Sequence, residues 1–378
     1  MPAHPWLAER TDRFDSSGIR KVFDLAAKLE NPINLSIGQP DFPAPDELKE
    51  AAHRAIDADL NGYSQTQGVG ALIERLQGQV NGQWGHTDRK VLVTSGTSGA
   101  LNLAMWALVD PGDEVIVFDP YFVMYPTLTE MVGGVPVVID TYHDDPDRAF
   151  QIDLAKVEAA ITPRTKLIFF NSPANPTGVV ADKASARGLA ELAAKHNIAL
   201  LSDEIYSRFC YDTPLPSPAQ WNDQAIVVDG FSKSYGVTGW RIGWVSGPAA
   251  VIDKMAALQQ YTFVCAPHPL QHAVLEAFDT DITPLVDGYR DRRDHLVAGL
   301  RDAGYEVAPT GGAFYVFPKV PDGMGTASEF VARAIERELL IIPGDIFSRR
   351  DTHFRISYAA SRETIDRGLE VLRGLIRG

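Results

Sequence analysis

Residues 166–204 read KLIFFNSPANPTGVVADKASARGLAELAAKHNIALLSDE. An apolar run of strand length, KLIFFN (166–171), leads into a turn punctuated by proline and glycine. A helix-period stretch over 182–196 follows, and then a second apolar run, IALLSDE (198–204). Such runs look like buried strands, and a crossover of a dozen or more residues between two of them suits a parallel pair.

The same alternation extends outward in both directions. VLVTS (91–95), EVIVFD (114–119) and AIVVDG (225–230) read as further strands, with helices over 98–109 and 153–160. The pattern predicts an α/β fold whose large domain has a mostly parallel mixed sheet flanked by helices. From about residue 283 the texture changes. A long charged helix, PLVDGYRDRRDHLVAGLRDAG (284–304), is followed by strands near 305–317, a helix near 326–338 and a strand and helix over 353–377. These predict a small α+β domain. The expected division is an N-terminal arm at 1–45 that joins the small domain, a large domain at 46–282 and a small C-terminal domain at 283–378.

Of the 378 residues, 45% are hydrophobic and 22% charged, which suits a folded globular chain with ample material for a large core. Lys and Arg total 35 against 49 Asp and Glu, and the formal charge of -14 argues against nucleic acid or an anionic membrane as partner. A local basic pocket for a small anion remains compatible with that balance. Cys210 and Cys265 make no disulfide framework, and no apolar run approaches the ~18 residues of a membrane span. A cytoplasmic protein is expected.

Loops beyond the carboxyl ends of strands hold the ligand in open α/β sheets. Thr94-Ser95-Gly96-Thr97-Ser98-Gly99 follows one strand and opens a helix. It reads either as an anion site of N–H groups and hydroxyls or as a plain helix cap. The Gly-Lys-Ser/Thr ending of a nucleotide triphosphate loop is missing, and Gly68-Val69-Gly70 does not follow a strand as a dinucleotide fingerprint must. Asn171-Ser-Pro-Ala-Asn175-Pro-Thr-Gly178 is either rigid punctuation or a turn that aims the Asn175 amide at a ligand oxygen. Asp203 ends a buried strand and so requires a partner or caps a helix. Lys233 stands just past the strand at 225–230 among small residues, where burial strips an amine of its proton and makes it nucleophilic. Arg241 follows eight residues on.

In this order Gly-Thr-Ser-Gly (96–99), Asn-Pro-Thr-Gly (175–178), Asp-x-x-Tyr (203–206) and Ser232-Lys233-x-x-Gly-x-x-Gly-x-Arg241 resemble the class I/II aminotransferases of the pyridoxal 5′-phosphate (PLP) fold type I superfamily. The resemblance spans nearly the whole chain. Leu35-Ser-Ile37-Gly38-Gln-Pro-Asp-Phe42 is similar to the family's substrate loop, and Phe354-Arg355-Ile-Ser357 to its carboxylate-binding segment.

The resemblance implies a role for each residue. Lys233 is expected to hold PLP covalently and then to shuttle the substrate's proton. Asp203 is expected to keep the pyridine nitrogen protonated. Tyr206 and Asn175 are expected to hydrogen-bond the phenolic oxygen. Gly96, Thr97, Ser98 and Arg241 are expected at the phosphate, joined by Tyr63 from the other subunit of a homodimer. Phe122 is expected on the ring face, with ordinary core packing as the alternative. Arg355 is expected to clamp the substrate α-carboxylate, assisted by Asn175 and the Gly38 backbone, with Ile37 and Asn171 completing the substrate site.

Substrates are then an L-amino acid, with aspartate favoured, and a 2-oxo acid, with 2-oxoglutarate favoured. A PLP-dependent C–S β-lyase of the same fold is the alternative. A more remote one, a non-catalytic PLP-binding regulator, needs a DNA-binding segment, and the residues ahead of the large domain carry no helix-turn-helix pattern.

Two departures from the family pattern stand out. Gly230 replaces a common phosphate-binding serine, with Ser232 a candidate substitute, and Met255 to His268 contains no Lys or Arg. Reading of the substrate side chain is therefore assigned to Ser16-Ser17-Gly18-Ile19-Arg20. His268 and His272 share a helical face without a third ligand, so no metal site is expected. Arg290-Asp-Arg292-Arg293-Asp reads as a solvated helix face.

Overall fold

The computed structural model describes residues 31–377 together with His4, Trp6 to Ala8, Thr11, Asp12, Phe14 and Gly18. Strand β1 (Ile33–Asn34) and helices α1 (Asp46–Asp57) and α2 (Gly70–Trp84) precede the central sheet. Its seven strands are β2 (Arg89–Ser95), β3 (Glu114–Asp119), β4 (Val135–Asp140), β5 (Thr165–Asn171), β6 (Ala199–Asp203), β7 (Ile226–Gly230) and β8 (Ile242–Pro248). They lie in the order β2-β8-β7-β6-β5-β3-β4. Only β8 runs against the others. The five strands expected from apolar runs all form. β4 and β8 were not among them, because Pro136 in one and Gly243, Gly247 and Pro248 in the other break the run that identifies a strand.

Six helices accompany the sheet: α3 (Gly96–Leu108), α4 (Met124–Met131), α5 (Leu154–Ala160), α6 (Lys183–His196), α7 (Ala249–Thr262) and α8 (His268–Ala273). Successive strand residues point to opposite faces, and both faces are covered. Val115, Val117, Phe169 and Val228 pack with Leu101 and Met105 of α3 and Met255 of α7. Ile116, Ile168, Phe170 and Leu200 pack with Ala186, Leu189 and Ala193 of α6. That explains why the strands read as unbroken apolar runs. α6 is fixed at both ends: the Asp182 carboxylate accepts from Ser185 N at 2.7 Å, and Asn197 closes it in the left-handed region at φ 52°.

The C-terminal part comprises α9 (Thr283–Asp302), β9 (Tyr315–Val316), α10 (Ala327–Glu336), β10 (Leu339–Leu340), β11 (Ile342–Pro343), β12 (Phe354–Ser357) and α11 (Arg362–Arg377). β11, β12 and β9 form an antiparallel sheet, and β1 pairs in parallel with β10. The strands expected near 305–317 shrink to the two residues of β9, since Pro309, Gly311 and Gly312 interrupt the segment. Leu35, Leu296, Phe314, Phe330, Ile356 and Leu369 share one core with Ile205, Tyr206 and Phe209. The segment after β6 is thereby packed against the C-terminal part. Arg293 corrects the expectation of a solvated helix face. It is buried, its guanidinium makes two hydrogen bonds to Asp212 at 2.8 and 3.0 Å and one to Thr310 O at 2.5 Å, and it lies over the Tyr211 ring. The α9 face bearing it turns inward, and besides Asp294, the next residue on the helix, it is paired with Asp212 from elsewhere in the chain.

Candidate active site

Because β2 through β7 all point one way, their carboxyl ends share one edge of the sheet, where β8 begins. A cavity of about 310 Å³ opens there between that edge and the C-terminal part. Lys233, Asp203, Tyr206, Thr97, Ser98, Phe122, Asn171, Asn175, Arg241, Ile37, Gly38 and Arg355 line it. Of the residues singled out from the sequence, Gly96 and Tyr63 do not.

One end of the cleft is built for an anion. Gly96 opens α3 at φ 67°, and a Cβ there would collide with the Arg241 guanidinium, so only glycine lets the arginine come so close. α5, α6 and α10 carry side-chain caps from Asp153, Asp182 and Thr326, whereas Ser95 gives α3 none. The first-turn N–H groups of α3 therefore remain available beside Thr97 and Ser98. Arg241 is itself left-handed at φ 56° and donates from Nη1 to Thr238 O at 3.0 Å. Packing also accounts for Gly230: a Cβ there would stand 2.9 Å from Gly243 Cα and 3.1 Å from Ile242 O. A serine does not fit between β7 and β8. Ser232 is buried and lines the cleft instead.

At the centre, Asp203 Oδ2 accepts from Tyr125 Oη at 2.9 Å and Oδ1 from Ile205 N at 3.3 Å. Its backbone carbonyl accepts from Asn171 Nδ2 at 3.0 Å. Burial pushes the carboxyl up to about 6, against the pull of those hydrogen bonds and of Lys233. Lys233 Nζ donates to Gly38 O at 2.6 Å. Burial and then the charges of Arg355 and Arg241 press the amine down to about 8, with Asp203 opposing. Phe122 meets Tyr125 edge-on, with ring centroids 5.7 Å apart, so it serves as cleft wall and core packing at once.

At the far end Arg355, on β12, is wholly buried between the rings of Tyr315 and Phe347, at 4.6 and 4.7 Å from their centroids. Nη1 donates to Asn175 Oδ1 at 3.0 Å and Nη2 to Ser36 O at 2.8 Å. Its buried Nε has no hydrogen-bond partner among the described residues, and burial lowers its pKa. The carbonyl that accepts from Arg355 is that of Ser36, and the Gly38 carbonyl accepts from Lys233. Tyr206 Oη lies 3.0 Å from Tyr315 Oη.

Sequence reasoning missed Tyr125, Tyr315, Phe347 and Ser36. Tyr125 was the most findable, standing three residues after Phe122.

Tyr63 lies on the surface, 84% exposed. Its loop is tied down by His268 Nδ1 donating to Gly62 O at 2.9 Å, Gln271 Nε2 to Ser64 Oγ at 3.0 Å and Gln259 Nε2 to Thr66 O at 2.6 Å. His268 and His272 do face each other, Nε2 to Nε2 at 3.3 Å, and no cluster of three metal-ligating side chains occurs among the described residues. The segment Ser16 to Arg20, assigned to the substrate side chain, lies outside the described residues except for Gly18. No helix among the described residues is long and apolar enough to cross a membrane.

The chemistry of this donor set fits PLP. An uncapped helix start with an arginine suits a phosphate, a buried carboxylate suits a protonated ring nitrogen, and an amine with depressed basicity suits an aldehyde carbon. Fold and cleft together define a PLP-dependent enzyme of fold type I. The chain belongs to the aminotransferase class I and II family, whose model matches residues 30–372. It is 38% identical to the probable aspartate aminotransferase of Methanocaldococcus jannaschii over 97% of this chain and 99% of that one. Identity to aromatic-amino-acid aminotransferase 2 of Thermococcus litoralis is 30%, with 98% of both chains covered. A Thermus thermophilus aspartate aminotransferase tetra mutant complexed with tryptophan superposes with a TM-score of 0.93 at 34% identity, covering 98% of this chain and all of that one. The protein is thus a transaminase with PLP as cofactor.

Proposed function

We propose that the protein moves the amino group of an L-amino acid, aspartate foremost, to 2-oxoglutarate, as a cytoplasmic homodimer whose active sites are built from both subunits. The observation that carries this reading is the convergence of Lys233, Asp203 and Arg355 on one cleft, with all three held away from their ordinary proton affinities. The names of the Methanocaldococcus and Thermus relatives support aspartate. In this reading the chain divides into a large domain at 46–282 and a small one at 283–378, joined by the arm at 1–45.

When bound, PLP supplies an electron sink that lets the Cα–H bond of an amino acid break and its nitrogen be carried to a 2-oxo acid. The first turn of α3 from Gly96, the hydroxyls of Thr97, Ser98 and Ser232, and Arg241 hold its phosphate. Phe122 covers one face of the ring. Asp203, steadied by Tyr125, keeps a proton on the ring nitrogen. Tyr206 donates to the phenolic oxygen, as does Asn175 Nδ2, since Asn175 Oδ1 is already engaged by Arg355. The remaining N–H groups of Arg355 take the substrate α-carboxylate beside Ile37, Gly38 and Asn171. Lys233 Nζ anchors the cofactor and moves the proton at the substrate Cα, a task that its lowered basicity suits.

Mixing the PLP-loaded protein with single L-amino acids tests the donor. Aspartate is expected to bleach the cofactor absorbance fully within minutes, and 2-oxoglutarate to restore it. Bleaching by aromatic amino acids alone would replace aspartate as donor, and release of pyruvate from a β-thio amino acid without any oxo-acid requirement would favour the β-lyase.

The shared site is supported by the surface around Tyr63. Tyr63, Tyr261, Phe263 and Val264 are exposed, and the β-branched Val264 is held at φ 64°. Tyr63→Phe is expected to weaken PLP binding by about 1.5 kcal/mol, or roughly tenfold, because the lost acceptor is charged. Mixing inactive Lys233→Ala and Tyr63→Ala chains should restore activity in hybrid dimers, in which one site has both residues. A fully active monomer in sedimentation overturns the shared site.

A further inference from the structure

Tyr206 and Tyr315 are both buried, both line the cleft, and their hydroxyls lie 3.0 Å apart. Neither hydroxyl has another hydrogen-bond partner among the described residues. Two phenols have two protons, and one proton suffices for the bond between them. The other points into the cleft, and which phenol provides it depends on which one donates. The Tyr315 ring carries the Arg355 guanidinium on its face at 4.6 Å, which draws electron density from the phenol and makes it the better donor. Tyr315 Oη also lies only 3.0 Å from where a Cβ on Gly38 would stand, so a side chain at 38 would crowd the hydroxyl.

We infer that Tyr315 is a positioning residue: its hydroxyl donates to Tyr206 Oη and turns the Tyr206 proton toward the cofactor's phenolic oxygen, while its ring holds Arg355 for the substrate carboxylate. This rests on the assignment of Tyr206 to that oxygen. One side chain then joins the group that tunes the cofactor to the group that binds the substrate. A donor that itself accepts a hydrogen bond is polarised and donates more strongly, by about 10–30% per bond. The hydroxyl of Tyr315 and its ring act on different quantities, so they can be separated.

The test is a pH titration of the absorbance of PLP-loaded enzyme without substrate, paired with KM for the amino acid. A donor on the phenolic oxygen favours the deprotonated form of the lysine-bound cofactor, so losing it raises the midpoint. Tyr206→Phe is expected to raise it by about one to two pH units. Tyr315→Phe is expected to raise it by about 0.2–0.5 unit and to leave KM within about twofold, because the ring stays on Arg355. The double variant should sit at the Tyr206→Phe value, since Tyr315 acts only through Tyr206. Tyr315→Leu should raise KM about tenfold through loss of the cation–π contact. As a variant of unchanged shape, 3,5-difluorotyrosine at 315, a stronger donor, should lower the midpoint. A midpoint unmoved in Tyr315→Phe but raised in Tyr206→Phe, or additive shifts in the double variant, would overturn the inference alone. A midpoint unmoved in Tyr206→Phe would instead overturn the assignment of Tyr206.

Discussion

Lys233→Ala is expected to lower turnover by roughly 10⁴-fold or more, since it removes both the covalent anchor and a positioned proton-transfer group. The protein itself should stay folded. Burial holds the Lys233 amine at about 8, so at neutral pH the native protein carries a cation its surroundings disfavour, with one hydrogen bond to Gly38 O in return. The sign of the pH effect follows. Between pH 8 and the ordinary lysine range the unfolded chain binds the proton and the folded one does not, so stability of the cofactor-free protein rises with pH. Lys233→Ala lacks that rise, and the difference between the two melting curves isolates it. Borohydride reduction of the PLP-loaded wild type followed by peptide mass mapping locates the anchor. A pyridoxyl group on any other lysine overturns the assignment.

Much of this was legible because it is written locally. Each strand of the βαβ unit at 166–204 is buried on both faces and so appears as an apolar run. The residues facing the cleft sit at strand ends, where a loop motif can be recognised. What remained hidden depends on contacts between distant segments. Tyr125 reaches Asp203 across 78 residues and Tyr315 reaches Tyr206 across 109, with no spacing rule to join them. Phe347 is found only as the second ring over Arg355. Arg293 misled for the related reason that the carboxylate forked on its guanidinium, Asp212, lies 81 residues away. Gly230 looked like a missing hydroxyl, and the approach of β7 to β8 shows that no side chain fits there.

Asp203→Asn is expected to slow Cα–H cleavage by about 10²–10³-fold, the scale on which a preorganised charge partner contributes. Asparagine keeps the shape: its side-chain oxygen can still accept from Tyr125 Oη, and the bond given up is the longer one from Ile205 N at 3.3 Å, where an amide nitrogen cannot accept. It loses the negative charge that holds a proton on the ring nitrogen. Wild-type Asp203 is costly without the cofactor, because burial raises its carboxyl to about 6 in the folded state. Between the ordinary aspartate range and pH 6 the folded protein binds more protons than the unfolded chain, so stability falls as pH rises, and above pH 6 the whole cost is present. Removing the charge should therefore raise the melting temperature of the cofactor-free protein at pH 7–8 while slowing the loaded enzyme. A residue that destabilises the empty protein and accelerates the loaded one is placed for chemistry rather than for folding. Single-turnover rates with protiated and Cα-deuterated amino acid measure the slowed step, and calorimetry of the cofactor-free protein measures the stability. Near wild-type single-turnover rates in Asp203→Asn would remove the aspartate from the reaction, and an unchanged melting temperature would show that its burial carries no cost.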